Sequence, residues 1–175
     1  MPHIIRTPIQ KRFSDIDSFH HVNNVAQQMY FDVGKSDFFD RVLGREVLFA
    51  PTRIITAATE SSYLAQIRLG DAIEVTTEVE RIGNKSLTLL QRIIADDGSV
   101  RSESRSVMVA FDFDAQQSIP VPDHWRKALE TERHAARSAP AEGEGDIPAV
   151  GLPLKRAERP AREEGRSPER KGRKT

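Results

Sequence analysis

Between Arg12 and Asn24 the chain gathers six side chains able to do chemistry: the carboxylates Asp15 and Asp17, the imidazoles His20 and His21, and the carboxamides Asn23 and Asn24. An ordinary aspartate is ionised at neutral pH, so either carboxylate can attack a polarised carbonyl carbon or take a proton from water. Plainer roles compete for the same residues. An Asp or Asn just ahead of a helix caps it, for about 1 kcal/mol, and paired histidines commonly serve the surface or the packing. Asp and His can also bind a metal, but their spacing here matches no ligand pattern and no metal is expected.

The elements that must hold this segment can be read from patterning. Ile4 to Phe13 reads as a strand, placed at a sheet edge by Pro8. From Asn24 to Leu43 apolar residues recur at Val25, Met29 and Val33, then at Phe38, Phe39 and Val42, helical spacing with a slip near Gly34 and a stop at Gly44. Thr52–Leu64 is rich in Thr, Ile and Ala. Ile73, Val75, Thr77 and Val79 alternate with Glu74, Thr76, Glu78 and Glu80, which predicts a strand with one wet face. Gly83-Asn84 and Asp96-Asp97-Gly98-Ser99 turn the chain into strands over 86–95 and 100–113, and a short helix is expected over Trp125–Glu130. Strand, long helix, then strands joined by short turns is an α+β pattern, an antiparallel sheet around one helix. The reactive segment falls where the first strand hands over to that helix.

Composition sets limits on function. The chain has 175 residues, with 26 basic and 26 acidic side chains. Residues 1–134 carry 16 basic and 19 acidic groups and residues 135–175 carry 10 and 7. The body therefore has no phosphate-seeking basic surface, and nucleic acid is not an expected partner. With no cysteine there is no thiolate nucleophile and no disulfide. No apolar run approaches the ~20 residues of a membrane span, and the start of the chain lacks a secretory apolar core, so a cytoplasmic protein is expected. Residues 135–175 contain no aromatic side chain and five prolines. Such a stretch cannot bury enough apolar area to offset roughly 1–2 kcal/mol of backbone entropy per residue, so it reads as a disordered basic tail on a 1–134 domain. The last 21 residues carry 9 basic and 4 acidic groups and read as a solvated tail.

The reactive segment resembles the signature of the hotdog-fold acyl-CoA thioesterases of the 4-hydroxybenzoyl-CoA thioesterase type, Phe-x-Asp-x-Asp-x-x-Gly-His-Val-Asn-Asn-Ala-x-Tyr. Phe13, Asp15, Asp17, His21, Val22, Asn23, Asn24, Tyr30 and Phe31 match; His20 stands where Gly is usual, and Gln27, Asp32 and Lys35 also depart. Tyr63-Leu64, Leu69-Gly70-Asp71, Arg81 to Ser86, and Pro120-Val121-Pro122 with Trp125 extend the resemblance from residue 4 to about 130.

The resemblance implies a hotdog fold, a homodimer or homotetramer with sites at the seam between copies, and hydrolysis of an acyl-CoA or acyl-carrier-protein thioester. No cofactor is implied beyond the coenzyme A in the substrate. It implies Asp17 as nucleophile or general base and the backbone N–H of Asn24 as the donor that polarises the carbonyl. The start of a helix carries unpaired N–H groups and about +0.5 of a charge, and one such donor is worth about 3 kcal/mol of barrier. His21 and Asn23 join the substrate site, and Lys85 and Ser86 are expected to reach the phosphates of coenzyme A. Two other outcomes stay open. Asp15 and His20 have the spacing of the acid–histidine pair in hotdog enoyl-CoA hydratases, and a non-catalytic acyl-binding protein would account for Gln27 and His20. Glu60 reads as an exposed strand residue.

Overall fold

A computed structural model describes residues 4–48 and 50–137. Contacts divide the chain into Met1–Gly143 and Glu144–Thr175, and every described residue lies in the first unit. Its elements are β1 (Ile5–Ile9), α1 (Asn24–Leu43), β2 (Thr52–Tyr63), β3 (Ile73–Ile82), β4 (Ser86–Ala95), β5 (Val100–Asp112), the two-residue β6 (Gln117–Ser118) and α2 (Asp123–Arg137). The strands form one antiparallel sheet in the order β1-β3-β4-β5-β2, with β6 added to β5. This sheet around one long helix is the hotdog arrangement. Pro8 lies on the edge strand β1, as its missing N–H requires.

Two expectations need correction. The first strand stops at Ile9, and Phe13–Asp15 form a 3₁₀ turn instead of continuing it. The last helix spans Asp123–Arg137, so Ala135, Ala136 and Arg137 are helical and not tail. Its Trp125 and Leu129 are buried against Phe38, Leu87 and Met108, and this packing extends it beyond the predicted turn and a half. Residues 138–175, where the rest of the disordered tail was expected, lie outside the described residues. Spacing alone left open which face of α1 meets the sheet. Val25, Met29 and Val33 are 62, 52 and 50 % exposed, while Ala26, Gln27, Tyr30, Phe31, Gly34, Lys35, Phe38 and Phe39 are buried. The apolar stripe of Val25, Met29 and Val33 faces outward, and the core face includes a glutamine and a lysine whose nitrogens have local partners. Lys35 reaches Asp32 at 2.8 Å and the Gln27 amide donates to Val22 O.

Two apolar clusters fill the space under α1. One, toward its C-terminal end, joins Phe38, Phe39, Val79, Leu87, Leu89 and Trp125; the other, toward its N-terminal end, joins Val22, Tyr30, Phe31, Ile67, Ile73 and Ile93. Gln91 lies on the same sheet face: its Nε2 donates to Phe31 O at 2.9 Å and to Thr77 Oγ1 at 3.0 Å. A buried amide bonded to a helix carbonyl holds helix and sheet in one register, because losing it strands polar atoms away from water. The opposite face of the sheet is wet, as the Glu alternation in β3 predicted. There Arg92 bridges Glu78 and Glu103, and Arg105 bridges Glu80 and Glu103. Among the described residues no helix is long and apolar enough to cross a membrane.

Gly34 sets how closely the helix approaches the sheet. A Cβ there would lie 2.5 Å from Val75 Cγ1 and 3.0 Å from Gln91 Nε2. Gly34→Ala is therefore expected to destabilise the fold by about 1–3 kcal/mol through overpacking, read as a lowered urea midpoint. An unchanged midpoint would mean that the helix lifts from the sheet at no cost.

Candidate active site

The reactive segment is a short closed loop pinned at its base. Ile16 and Val22 form an antiparallel bridge, and Asp17 N donates to His21 O at 2.9 Å. The tip is a tight turn. His20 N donates to Asp17 O at 3.0 Å, and Phe19 N donates to the Asp17 side-chain Oδ1 at 2.9 Å. Asp17 Oδ2 has no partner among the described residues. His20 takes a φ of +65°, a left-handed conformation that glycine adopts without cost, and this explains why glycine is usual there in the pattern that the segment resembles. Its side chain is exposed. The neighbouring His21 is half-buried, its ring stacked at 6.5 Å against that of Phe19.

The loop's base is locked by Asp15, which is only 8 % exposed. Its Oδ2 accepts from Tyr30 Oη at 2.6 Å and from Arg12 N at 2.8 Å, while its carbonyl accepts from Asn23 N at 2.8 Å. One residue thus ties the strand end, the loop and the second turn of α1 together. The Tyr30 hydroxyl, then the Arg12 N–H, hold the Asp15 carboxyl below the ordinary aspartate value, against the upward pull of burial. Burial first, and Asp15 second, push the Tyr30 phenol well up.

Asn23 is the N-cap of α1: its side-chain oxygen accepts from Val25 N at 2.8 Å. Asn24 is the first helical residue, and its N–H has no acceptor among the described residues, so one orphan donor of the helix start is left beside the loop. Across from it, Tyr63 Oη donates to Asn24 O at 3.5 Å, and Gln28 donates to Ser61 and Tyr63. On the other side Val22 N donates to Ile67 O at 2.8 Å, bringing the loop between β2 and β3 against the segment.

Asp17, His21, Asn23 and Asn24 are therefore brought together. Lys85 and Ser86 are not. Val22 and Ile67 pack with Ile73 and Ala95, at one end of β3 and β4, whereas Lys85 and Ser86 turn the chain at the other end. Ten residues at about 3.3 Å each put roughly 30 Å of strand between them. There the Lys85 ammonium donates to Ser118 O at 2.7 Å. The roles of Tyr30 and of Tyr63 with Gln28 were not foreseen; Tyr30 stood in the motif as a match, but spacing alone does not say which carboxylate it meets. No group of three or more His, Asp or Glu suited to a metal occurs among the described residues.

The thioesterase-like superfamily matches residues 12–129. A predicted thioesterase from Bacillus stearothermophilus is 32 % identical, with a TM-score of 0.69 over 74 % of this chain and 96 % of that one. A thioesterase from Thermus thermophilus, solved with coenzyme A and Zn, is 25 % identical, with a TM-score of 0.65 over 74 % of this chain and 94 % of that one. The uncharacterized protein YsmA of Bacillus subtilis is 28 % identical over 81 residues, 46 % of this chain; the chain spans about half the length of that curated relative.

The Asp15 lock makes a pH prediction. A carboxylate whose pKa is lower in the folded state than in the unfolded chain adds stability above the unfolded value, and that stability is lost as pH falls through the folded value. Tyr30→Phe should cost about 1.5–3 kcal/mol at pH 7, the range for a hydrogen bond to a charged group. The gap from the unmodified protein should narrow as acid protonates Asp15, in urea melts at stepped pH. A gap that stays constant down to acid would exclude the Asp15–Tyr30 bond as its source.

Proposed function

Since this chain belongs to the thioesterase-like superfamily, we propose that it hydrolyses the thioester bond of an acyl-CoA, with Asp17 as nucleophile or general base and the Asn24 N–H polarising the thioester carbonyl. The observation that carries this reading is the pairing of two unfinished groups on one pinned loop. Asp17 keeps a carboxylate oxygen without a partner among the described residues, and the helix start keeps an N–H without an acceptor there. Negative charge builds on the carbonyl oxygen as the carbon is attacked, and a donor fixed in advance at a helix N-terminus stabilises it without reorganising. A thiolate is a good leaving group, so the reaction asks for no strong general acid and for no cofactor beyond the coenzyme A of the substrate.

The hydratase alternative is disfavoured by the same geometry. It would need Asp15 and His20 as a pair, but the Asp15 carboxylate is buried and already bonded to Tyr30 and Arg12, and His20 is exposed.

A second copy of the chain belongs to this reading. The stripe of Val25, Met29 and Val33 and the edge strand β2, exposed from Thr56 to Glu60, are surfaces that a soluble monomer rarely leaves bare. A copy covering both would close the open side of the site. Lys85 and Ser86 take part in substrate binding only if they come from that copy.

The test is a substrate panel on the full chain. Thiol release from acyl-CoA esters of varied chain length is expected, with no hydration of an enoyl-CoA. Hydration without thiol release would overturn the hydrolase reading in favour of the hydratase; binding without turnover would favour an acyl-binding protein. Light scattering in the same buffer should give a particle of at least two chains, and a monomer at assay concentration would remove the second copy from the site.

A further inference from the structure

The end of the sheet that holds Asp17 and Asn24 also holds a polar cleft of about 380 Å³ lined by Gln66, Arg68, Asp71 and Arg101. It is built on the loop between β2 and β3 and on the start of β5. Leu64 N and Ala65 N both donate to Arg101 O, at 2.8 and 3.0 Å, and Ile67 O accepts from Val22 N of the reactive segment. The cleft is therefore one residue removed from a direct backbone bond to the candidate site.

Its charges are incompletely matched. Arg68 is exposed, its backbone N–H donates to Asp71 Oδ2, and its guanidinium has no partner among the described residues. Arg101 is largely buried. Its Nη2 meets Asp97 Oδ2 at 3.1 Å, but Asp97 is 58 % exposed, and among the described residues Arg101 Nε is buried without a partner and Nη1 is unpaired. Lys11 adds a third cation at the rim, its ammonium on Asp71 O. The nearby carboxylates are Asp71, Asp96 and Asp97. Asp71 is turned to the Arg68 N–H, and Asp97 is divided between Arg101 and the Ser99 N–H and hydroxyl. Two guanidinium forks with spare donors, one of them largely buried, suit a phosphate, which accepts such forks in bidentate fashion.

We propose that the Arg68–Arg101 cleft binds the phosphate at the end of the pantetheine arm of the substrate. This rests on the thioester reading above. It places carrier recognition at the same end of the same chain as Asp17, whereas Lys85 lies at the far end and hydrogen-bonds to Ser118 O. Coenzyme A and an acyl carrier protein both present that phosphate, and the substrate set separates them.

The experiment compares KM for one acyl group carried on pantetheine, on phosphopantetheine and on coenzyme A. The unmodified protein should favour both phosphate-bearing carriers. Equal KM for phosphopantetheine and coenzyme A would assign recognition to the shared phosphate; a further gain with coenzyme A would add its nucleotide end. Arg68→Ala, a loop substitution, should cut the preference over pantetheine by about tenfold. Arg101→Gln, checked for folding by circular dichroism, should do the same. A preference unchanged in Arg68→Ala, absent from the start, or lost in Lys85→Ala alone would overturn the proposal. If no thioester is cleaved, the hydrolase reading fails by itself, and calorimetric titration with coenzyme A still decides the subsite. A Kd weakened about tenfold by Arg68→Ala supports it, and an equal Kd, or no binding to the unmodified protein, overturns it.

Discussion

The hydrogen bond from Tyr30 Oη to the buried carboxylate of Asp15 is the interaction on which the arrangement around the reactive loop depends. A buried carboxylate is costly unless its lone pairs are used, and Asp15 uses one oxygen twice, on Tyr30 and on Arg12 N. Because Tyr30 is on α1 and Arg12 follows β1, satisfying this single charge fixes where the strand ends relative to where the helix begins. The Asp15 carbonyl then receives Asn23 N, which sets the helix cap. Asp17 and Asn24, the residues proposed to do the chemistry, are left with spare hydrogen-bonding capacity because Asp15 and Asn23 have used theirs on the scaffold.

The division of labour between the two aspartates was only half visible in the sequence. The motif named both, and the helix from Asn24 to Leu43, the Gly44 stop and the strands over 73–80 and 86–95 followed from periodicity and turn residues. What periodicity could not decide was which side of α1 meets the sheet. Val25, Met29 and Val33 have the better apolar spacing, yet the buried face carries Gln27, Gly34 and Lys35, residues suited to close approach and to polar bonds under the helix. An apolar pattern marks a surface removed from water without telling whether this chain or another removes it. Lys85 could not be placed from the sequence for a related reason: a turn residue has no address along the sheet until the register is known, and the register puts it at the far end of its own chain's sheet. Arg68 and Arg101 went unnoticed because 33 residues separate them in sequence and only the pairing of Leu64 and Ala65 with Arg101 brings their backbones together.

The helix is thus two-sided. One side is pressed onto the sheet so tightly that residue 34 has no room for a Cβ, and its polar groups hold register. The other side is an apolar stripe beside a strand edge, that of β2, with no pairing strand among the described residues. The reactive loop sits at the end where these two sides meet, so a copy docked on the stripe would lie next to Asn24 and restrict water around the carbonyl. In that arrangement each chain would supply its own proposed nucleophile or base, helix amide and arginine cleft, and pairing would supply enclosure.

The central claim is that Asp17 acts on the thioester while Asp15 holds the loop. Its most direct measurement is thiol release by Asp17→Asn at saturating acyl-CoA, a change that keeps size and hydrogen-bonding shape and removes the charge. The account predicts a folded protein that still binds coenzyme A, with kcat lowered by about two to four orders of magnitude. A folded Asp17→Asn protein turning over at the unmodified rate would contradict it.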